Sequence, residues 1–198
     1  IDPLYYSFLI TVEQDCSESC GGEMDVNGDE IINVVDIISL VNTILSSEEI
    51  TQEQLCTHDV NADGILNVID IVAVVNVILG GRTDDATSAK VLKTDDVLLV
   101  SANGYIGGVQ MTLEHDGDFS INLTNDALHA DYRTDGNKTT LVVVMPDNEE
   151  IFAYTGDFKI TEIIVANSQY EVSVDLPLAT SFSISEAYPN PFNPSTVM

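Results

Sequence analysis

The sequence contains no tryptophan, few aromatic residues (7%) and only six lysines and arginines against 33 acidic residues, which gives a formal net charge of −27. A chain with this charge is repelled by nucleic acids and by anionic membrane surfaces, and it attracts cations. No apolar run reaches the roughly 20 residues that span a bilayer, so membrane insertion is not expected. Basic residues are scarcest on the N-terminal side, where no Lys or Arg precedes Arg82 although 15 acidic residues do.

Cysteine and histidine are also scarce, with three residues of each. The sequence has no Cys-x-x-Cys pair and no Cys/His cluster, which argues against zinc. No Ser/His/Asp set can be recognised in the sequence either, so we do not expect an enzyme. A bridge from Cys16 or Cys20 to Cys56 would contribute roughly 3–4 kcal/mol by closing a loop of that size. Three buried thiols are the alternative.

The most informative feature is a twelve-residue segment that occurs twice, 34 positions apart. The first copy, residues 25–36, reads DVNGDEIINVVD, and the second copy, residues 59–70, reads DVNADGILNVID. Oxygen-bearing side chains recur at positions 1, 3, 5, 9 and 12 of each copy, and seven of the 15 early acidic residues lie in these two segments. This spacing is typical of a loop that wraps a hard cation such as Ca²⁺.

The pattern predicts two calcium ions, one in each loop. In an EF-hand-like loop the side chains at positions 1, 3, 5 and 12 and the peptide oxygen at position 7 supply the ligands. The asparagines at position 9, Asn33 and Asn67, are expected to act through a water. The predicted ligands are Asp25, Asn27, Asp29, Ile31 (peptide oxygen) and Asp36 in the first loop, and Asp59, Asn61, Asp63, Ile65 (peptide oxygen) and Asp70 in the second.

The two loops differ at position 6, where the chain turns sharply and glycine is usual. Gly64 meets this requirement and Glu30 does not, so we expect the first site to be strained or weaker. Position 12 is aspartate in both loops, one methylene shorter than the usual glutamate. The first turn of the following helix therefore has to be drawn closer to the ion.

Helical segments are predicted from Val34 to Leu45 and from Val68 to Leu79, with a short helix between them after the cap-like sequence at residues 46–49. Beyond a polar linker at 83–90 the hydrophobic period changes to two, and turn signals separate the runs. Strands are expected around Val109–Leu113, Phe119–Leu123, Leu141–Met145, Phe158–Val165 and Tyr170–Leu176. The predicted fold class is multidomain α + β, a small all-α module followed by an antiparallel β-sandwich of jelly-roll or immunoglobulin-like type.

The tandem loops, each followed by one apolar helix and lacking an entering helix, resemble type I dockerin modules over about residues 22–81. The resemblance implies a module that folds around two Ca²⁺ and docks by a helix face onto a cohesin, which is a β-sandwich. It therefore implies a non-catalytic role in assembly. Cellulosomal dockerins often carry Ser or Thr after position 9, whereas this chain has Val34-Val35 and Val68-Ile69, so we expect an apolar docking face.

Both predicted helices are apolar on nearly every side, and a 60-residue module cannot bury all of that surface by itself. The β-region is similar to cohesins in the segments Gly107–His115 and Thr155–Ile160. A cohesin-like β-sandwich, in the same chain or in a neighbouring one, is therefore the expected partner. Packing of the two helices against each other and the linker helix is the alternative.

The final residues, Tyr188 to Thr196 (YPNPFNPST), are similar to the start of C-terminal sorting domains of type IX secretion, which implies a secreted or cell-surface protein. The alternative function is a carbohydrate-binding or adhesin sandwich that uses Tyr105, Tyr132, Tyr154 and Tyr170 to bind a polysaccharide. The predicted organisation is an N-terminal segment (1–12), a dockerin-like double loop–helix module (13–82), a linker (83–90), a β-sandwich (91–178) and a Pro/Asn-rich start of a truncated sorting domain (179–198).

Overall fold

The computed structural model describes residues 22–46 and 48–176. Three helices precede nine strands: α1 (Val34–Leu45), α2 (Gln52–His58) and α3 (Val68–Leu79), then β1 (Ser88–Lys93), β2 (Val97–Ala102), β3 (Gly108–His115), β4 (Ser120–Leu123), β5 (Ala127–Asp135), β6 (Lys138–Pro146), β7 (Glu150–Thr155), β8 (Phe158–Ala166) and β9 (Ser173–Asp175). The predicted segment 1–12, Cys16, Cys20 and the Pro/Asn-rich segment lie outside the described residues.

The strands form a β-sandwich of two sheets, with orders β4-β7-β2-β1-β9 and β5-β6-β3-β8. The pairings are antiparallel except for β1 with β9, which is parallel. The α + β prediction is therefore confirmed. The space between the sheets is filled by fully buried side chains, among them Leu98, Met111, Leu113, Leu141 and Phe152.

Strand β6 of the four-stranded sheet is buried on both of its faces. Leu141 and Val143 of β6 point into the sandwich core, whereas Val142 and Val144 join a second apolar cluster with the helices. This explains why residues 141–145 are continuously apolar instead of alternating. A strand that is covered on both sides has no solvent-facing residue to be polar.

The helices pack on the outer face of this sheet. Helix α3 contacts α1, β3, β6 and β8, and α1 contacts β5 and β6. One buried cluster contains side chains from both helices together with Val142, Val144 and Ala166 of the sheet. The helical module and the sandwich therefore share a core in addition to their chain connection.

The bounds of α1 and α3 agree with the prediction, and their N-termini are fixed by capping boxes. Asn33 and Asp36 form the first, and Asn67 and Asp70 form the equivalent pair in α3. The expected cap of the short helix at residues 46–49 is wrong. Thr51 caps α2 instead, since its hydroxyl accepts a hydrogen bond from the Gln54 N–H while the Gln54 side chain accepts one from the Thr51 N–H.

The predicted linker is also shorter and more ordered than expected. Its last three residues belong to β1, Ala86 is fully buried, and the N–H groups of Thr87 and Ser88 donate to the side-chain oxygen of Asn103. Four strands, β1, β2, β5 and β7, were missing from the sequence prediction. The strand expected at Tyr170–Leu176 is confined to Ser173–Asp175.

Candidate cation loops and helix docking face

The second loop is wrapped by hydrogen bonds from its own backbone to the side chains at positions 1, 3, 5 and 12. The Asp59 carboxylate accepts from the N–H groups of Asp63 (3.1 Å) and Gly64 (2.7 Å). Asn61 accepts from Asp63 N–H at 3.0 Å and donates its amide to the Asp63 carboxylate at 2.8 Å. The Asp63 carboxylate also accepts from Ile65 N–H at 2.8 Å. These bonds connect the predicted ligand residues at positions 1, 3 and 5 within one turn.

The first loop repeats these bonds at equivalent positions. Asp25 accepts from Asp29 N–H (3.1 Å) and Glu30 N–H (2.7 Å), and Asn27 bonds to both the N–H and the carboxylate of Asp29. Asp29 accepts from Ile31 N–H at 2.9 Å. The duplication in sequence is therefore a duplication in backbone conformation, and the structure brings the predicted side chains of each set together.

Position 12 closes each loop from the first turn of the following helix. In the first loop the Asp36 carboxylate accepts from Asn27 N–H at 3.2 Å and Asn33 N–H at 2.8 Å, and Asp70 accepts from the equivalent Asn61 and Asn67. Both aspartates are 0% exposed. Each aspartate thus connects the first turn of its helix to the loop.

Burial makes the charge of Asp70 costly. Desolvation raises the pKa of Asp70 to about 6, and the neighbouring carboxylates of Asp59 and Asp63 add to that rise. No Lys or Arg is present in the first 81 residues to neutralise the charge. A buried carboxylate among like charges is the environment that a bound cation relieves.

Two positions in each loop have a left-handed backbone. In the first loop these are Gly28 (φ 73°) and Glu30 (φ 69°), and in the second they are Ala62 (φ 59°) and Gly64 (φ 86°). The left-handed backbone was predicted at position 6 and not at position 4. Each loop therefore contains one glycine and one non-glycine residue with a left-handed backbone, a conformation that costs a non-glycine residue roughly 1–2 kcal/mol. The stated reason for a weaker first site does not hold, because the strain is shared equally.

The donor chemistry of both loops fits Ca²⁺. Each offers three carboxylates, an asparagine amide oxygen and a peptide oxygen, which is an all-oxygen set for a hard cation. Among the described residues, no group of three or more His, Cys, Asp or Glu side chains is arranged to hold a metal. The side-chain oxygens of each loop accept hydrogen bonds from the loop N–H groups. In addition, two of the five predicted ligands in each loop are an asparagine amide oxygen and a peptide oxygen, which do not belong to these residue types.

The asparagines at position 9 of the two loops act as helix caps. The side-chain oxygens of Asn33 and Asn67 cap their helices by accepting from Val35 N–H and Ile69 N–H, both at 2.7 Å. The sequence signal for this role, an asparagine three residues before an acid at a helix start, was present and was missed. Cys56 lies in α2, and a bridge from it to Cys16 or Cys20 stays a prediction.

The apolar face of α3 meets the sheet at two consecutive glycines. A Cβ atom on Gly108 would lie 2.4 Å from Val68 Cγ2, and one on Gly107 would lie 2.7 Å from Val72 Cγ1. Neither glycine has a positive φ. The absence of a side chain at 107 and 108 is therefore required by the close approach of the helix and not by a turn.

Polar contacts lie at both ends of the apolar contact between α3 and the sheet. The N–H of Val68, the first residue of α3, donates to Oε1 of Gln110 on β3 at 3.0 Å. Near the other end, the amide of Asn76 donates to the carbonyl oxygen of Ser168. Ser168 is itself held by Asp85, which accepts from its N–H at 3.0 Å and from its hydroxyl at 2.6 Å.

Equivalent residues of the two repeats differ in burial. Val68 and Val72 are 0% and 1% exposed against the sheet, whereas their counterparts in α1, Val34 and Ile38, are 45% and 37% exposed. The two helices were expected to need more apolar cover than they give each other, and α3 meets this expectation by packing on the sheet. The alternative, that the helices and the linker helix use up the apolar surface themselves, does not account for α3.

The tyrosines proposed for sugar binding do not form one face. Tyr154 is buried in the sandwich core and donates to the Thr94 carbonyl, and Tyr105 has the Arg82 guanidinium over its ring at 5.1 Å. Tyr132 and Tyr170 are exposed on β5 and on the segment before β9. Nothing in this arrangement favours the polysaccharide alternative. Among the described residues, no helix is long and apolar enough to cross a membrane.

Comparison with known proteins gives three findings. Among solved structures, the chain is similar to a non-cellulosomal cohesin from the hyperthermophilic archaeon Archaeoglobus fulgidus, at 12% identity and a TM-score of 0.29, over 48% of this chain and 86% of that chain. No curated protein sequence matches significantly. The Dockerin type I domain family matches residues 23–91, so the segment that contains both loops, all three helices and the start of β1 is similar to type I dockerin domains.

Proposed function

We propose that this chain is a secreted, non-catalytic assembly unit in which a calcium-organised dockerin-like module docks onto the β-sandwich of the same chain. The observation that carries the proposal is the burial of the apolar α3 face, through Val68 and Val72, on the glycine pair of β3. This is helix-face docking onto a sheet, the mode of recognition that the dockerin match implies.

In this proposal two Ca²⁺ ions organise the helices. One is held by Asp25, Asn27, Asp29, Asp36 and the peptide oxygen of Ile31, and the other by Asp59, Asn61, Asp63, Asp70 and the peptide oxygen of Ile65. The ions supply the positive charge that the acidic loops lack. Because Asp36 and Asp70 belong to the first turns of α1 and α3, a loaded loop fixes the start of its helix.

Docking within one chain is favoured by the short connection between the two parts. Only residues 80–87 separate α3 from β1, and Asp85 within this connection holds the Ser168 segment that α3 contacts. A short tether gives a high effective concentration of one module near the other. Exchange of the helical module with a neighbouring chain uses the same contacts and is the competing arrangement.

The test is a calcium titration of the full chain after treatment with EDTA, by isothermal titration calorimetry. We expect two bound ions and a gain in helical circular dichroism. At a free Ca²⁺ concentration of 100 times Kd, each site should add about 2.7 kcal/mol to the free energy of unfolding. Asp63→Asn should remove or weaken one site. Asp116 is an exposed acid in a turn outside the loops, so Asp116→Asn should leave calcium binding at both sites unchanged.

Docking is measured on the same sample by NMR contacts between the Val72 methyl groups and the Gly107 α-protons, and by molar mass. A monomer with these contacts supports docking within the chain, and a dimer with them supports exchange. Helical circular dichroism that is indifferent to EDTA would overturn the calcium scaffold. Absence of the Val72–Gly107 contacts in the calcium-loaded chain would overturn docking.

A further inference from the structure

The aliphatic composition of α3 does not by itself determine how the helix is rotated on the sheet. Of its twelve residues, ten are aliphatic, and they occur on every side of the helix. Such a helix makes good apolar contacts in several rotations and registers, because apolar burial is not directional. The directional contacts of α3 with the sandwich are polar and lie at residues 68 and 76.

Docking creates a specific requirement at the start of α3. The first N–H groups of a helix have no partner inside the helix. The Asn67 side chain satisfies Ile69 N–H, which leaves Val68 N–H without a partner from the capping box. Val68 is 0% exposed, so water does not take that place. Gln110 Oε1, at 3.0 Å, supplies the acceptor.

We propose that Gln110 is a positioning residue that fixes the register of α3 on the sheet, with the Ser168 carbonyl as the second anchor; this rests on the proposed docking. The two anchored helical residues are eight positions apart, about 12 Å along the axis. A shift of one residue rotates the helix by about 100° and translates it by about 1.5 Å, which breaks both contacts together. Asp85 keeps the second anchor in place by binding Ser168 at its N–H and hydroxyl.

The internal repeat provides a control within the same molecule. Val34 is the first residue of α1 and the counterpart of Val68, and it is 45% exposed. Its N–H has the same position relative to its capping box but belongs to a residue that is not buried against the sheet. Comparison of these two amides therefore separates the effect of Gln110 from the effect of a helix start.

The experiment measures amide hydrogen exchange by NMR on the full calcium-loaded chain. In the wild type we expect Val68 N–H to exchange at least about tenfold more slowly than Val34 N–H. Gln110→Met keeps the size of the side chain and removes the acceptor, so exchange at Val68 should rise about tenfold or more while Val34 stays unchanged. Gln110→Glu keeps an acceptor oxygen and should retain the protection. Gln169→Met, at an exposed residue on the segment before β9, should have no effect.

The same spectra separate this inference from the proposed function. If the Val72–Gly107 contacts are missing in the wild type, docking itself fails. If they are present and Val68 is no better protected than Val34, or Gln110→Met leaves Val68 exchange unchanged, docking stands and the role of Gln110 is overturned. If Val68 N–H exchanges as fast in Gln110→Glu as in Gln110→Met, the role of the acceptor oxygen is overturned.

Discussion

A methyl group added at Gly108 tests the docking geometry directly. The new Cβ would lie 2.4 Å from Val68 Cγ2 and 3.3 Å from Val72 Cγ2, whereas carbon atoms in good contact are about 3.5–4.0 Å apart. Valine in a helix has essentially one χ1 rotamer, so Val68 cannot turn away. Helix α3 therefore has to retreat by about 1 Å from the sheet.

Overpacking of this kind costs about 1–3 kcal/mol. For a chain of this size each 1 kcal/mol corresponds to about 2–4 °C in Tm. We therefore expect Gly108→Ala to lower Tm by about 2–12 °C, measured by thermal unfolding of the calcium-loaded chain and checked by urea denaturation. Gly117→Ala is the matched control, because a Cβ there meets nothing within 4 Å, and it should stay within about 0.5 kcal/mol of the wild type.

A double-mutant cycle with Val68→Ala identifies the contact responsible. Removal of the Val68 methyl groups makes room for the new Cβ, so the double variant should be more stable than the sum of the single changes predicts, by roughly 0.5–3 kcal/mol. Equal stability of Gly108→Ala and Gly117→Ala would refute the close approach of α3 to the sheet. Strict additivity with Val68→Ala would refute the assignment of the clash to that side chain.

Three further predictions concern the helical module. Glu30→Gly and Ala62→Gly each relieve a left-handed residue and should each raise the free energy of unfolding by about 1 kcal/mol in urea; a gain at Glu30 alone would restore the idea that the first loop is the strained one. Asn67→Ala removes a helix cap and should cost about 1 kcal/mol, measured by thermal unfolding, whereas Asn42→Ala at an exposed helical position should cost nothing, and equal effects would contradict the capping role. Cys56→Ser should lower stability by roughly 3–4 kcal/mol under oxidising conditions, and peptide mapping of the wild type by mass spectrometry should link Cys56 to Cys16 or Cys20; loss of less than about 1 kcal/mol would contradict a stabilising bridge.

The helices and loops were predictable because their determinants are local. Asparagine and aspartate at fixed offsets specify both the loop and the cap of the following helix, so the bounds of α1 and α3 follow from a few neighbouring residues. Strands such as β3 and β6 were found because their inward-facing residues are strongly apolar. In β5, a sheet-edge strand with most residues at least partly exposed, the hydrophobic pattern is weak and gave no signal.

The beginning of β1 was mistaken for linker for a related reason. The residues Ser88-Ala89-Lys90 are small or polar, as linker residues usually are, and only pairing with β2 and β9 makes them a strand. The left-handed backbone of Ala62 was also invisible, since alanine carries no sign of that conformation. Both features are imposed by contacts that lie far apart in sequence or by the closure of the loop.

Residue types at short spacing are sufficient to specify the two acidic loops, the helices that follow them and the need of an apolar helical surface for cover. Both helices contact the sheet, but which of them buries its first residue there depends on tertiary packing. Val34 and Val68 are the same residue in the same local pattern, yet one is exposed and the other is buried beside Gly108 and Gln110. A duplicated sequence gives both copies the same local preferences, and the difference between them arises from the surface against which each one packs.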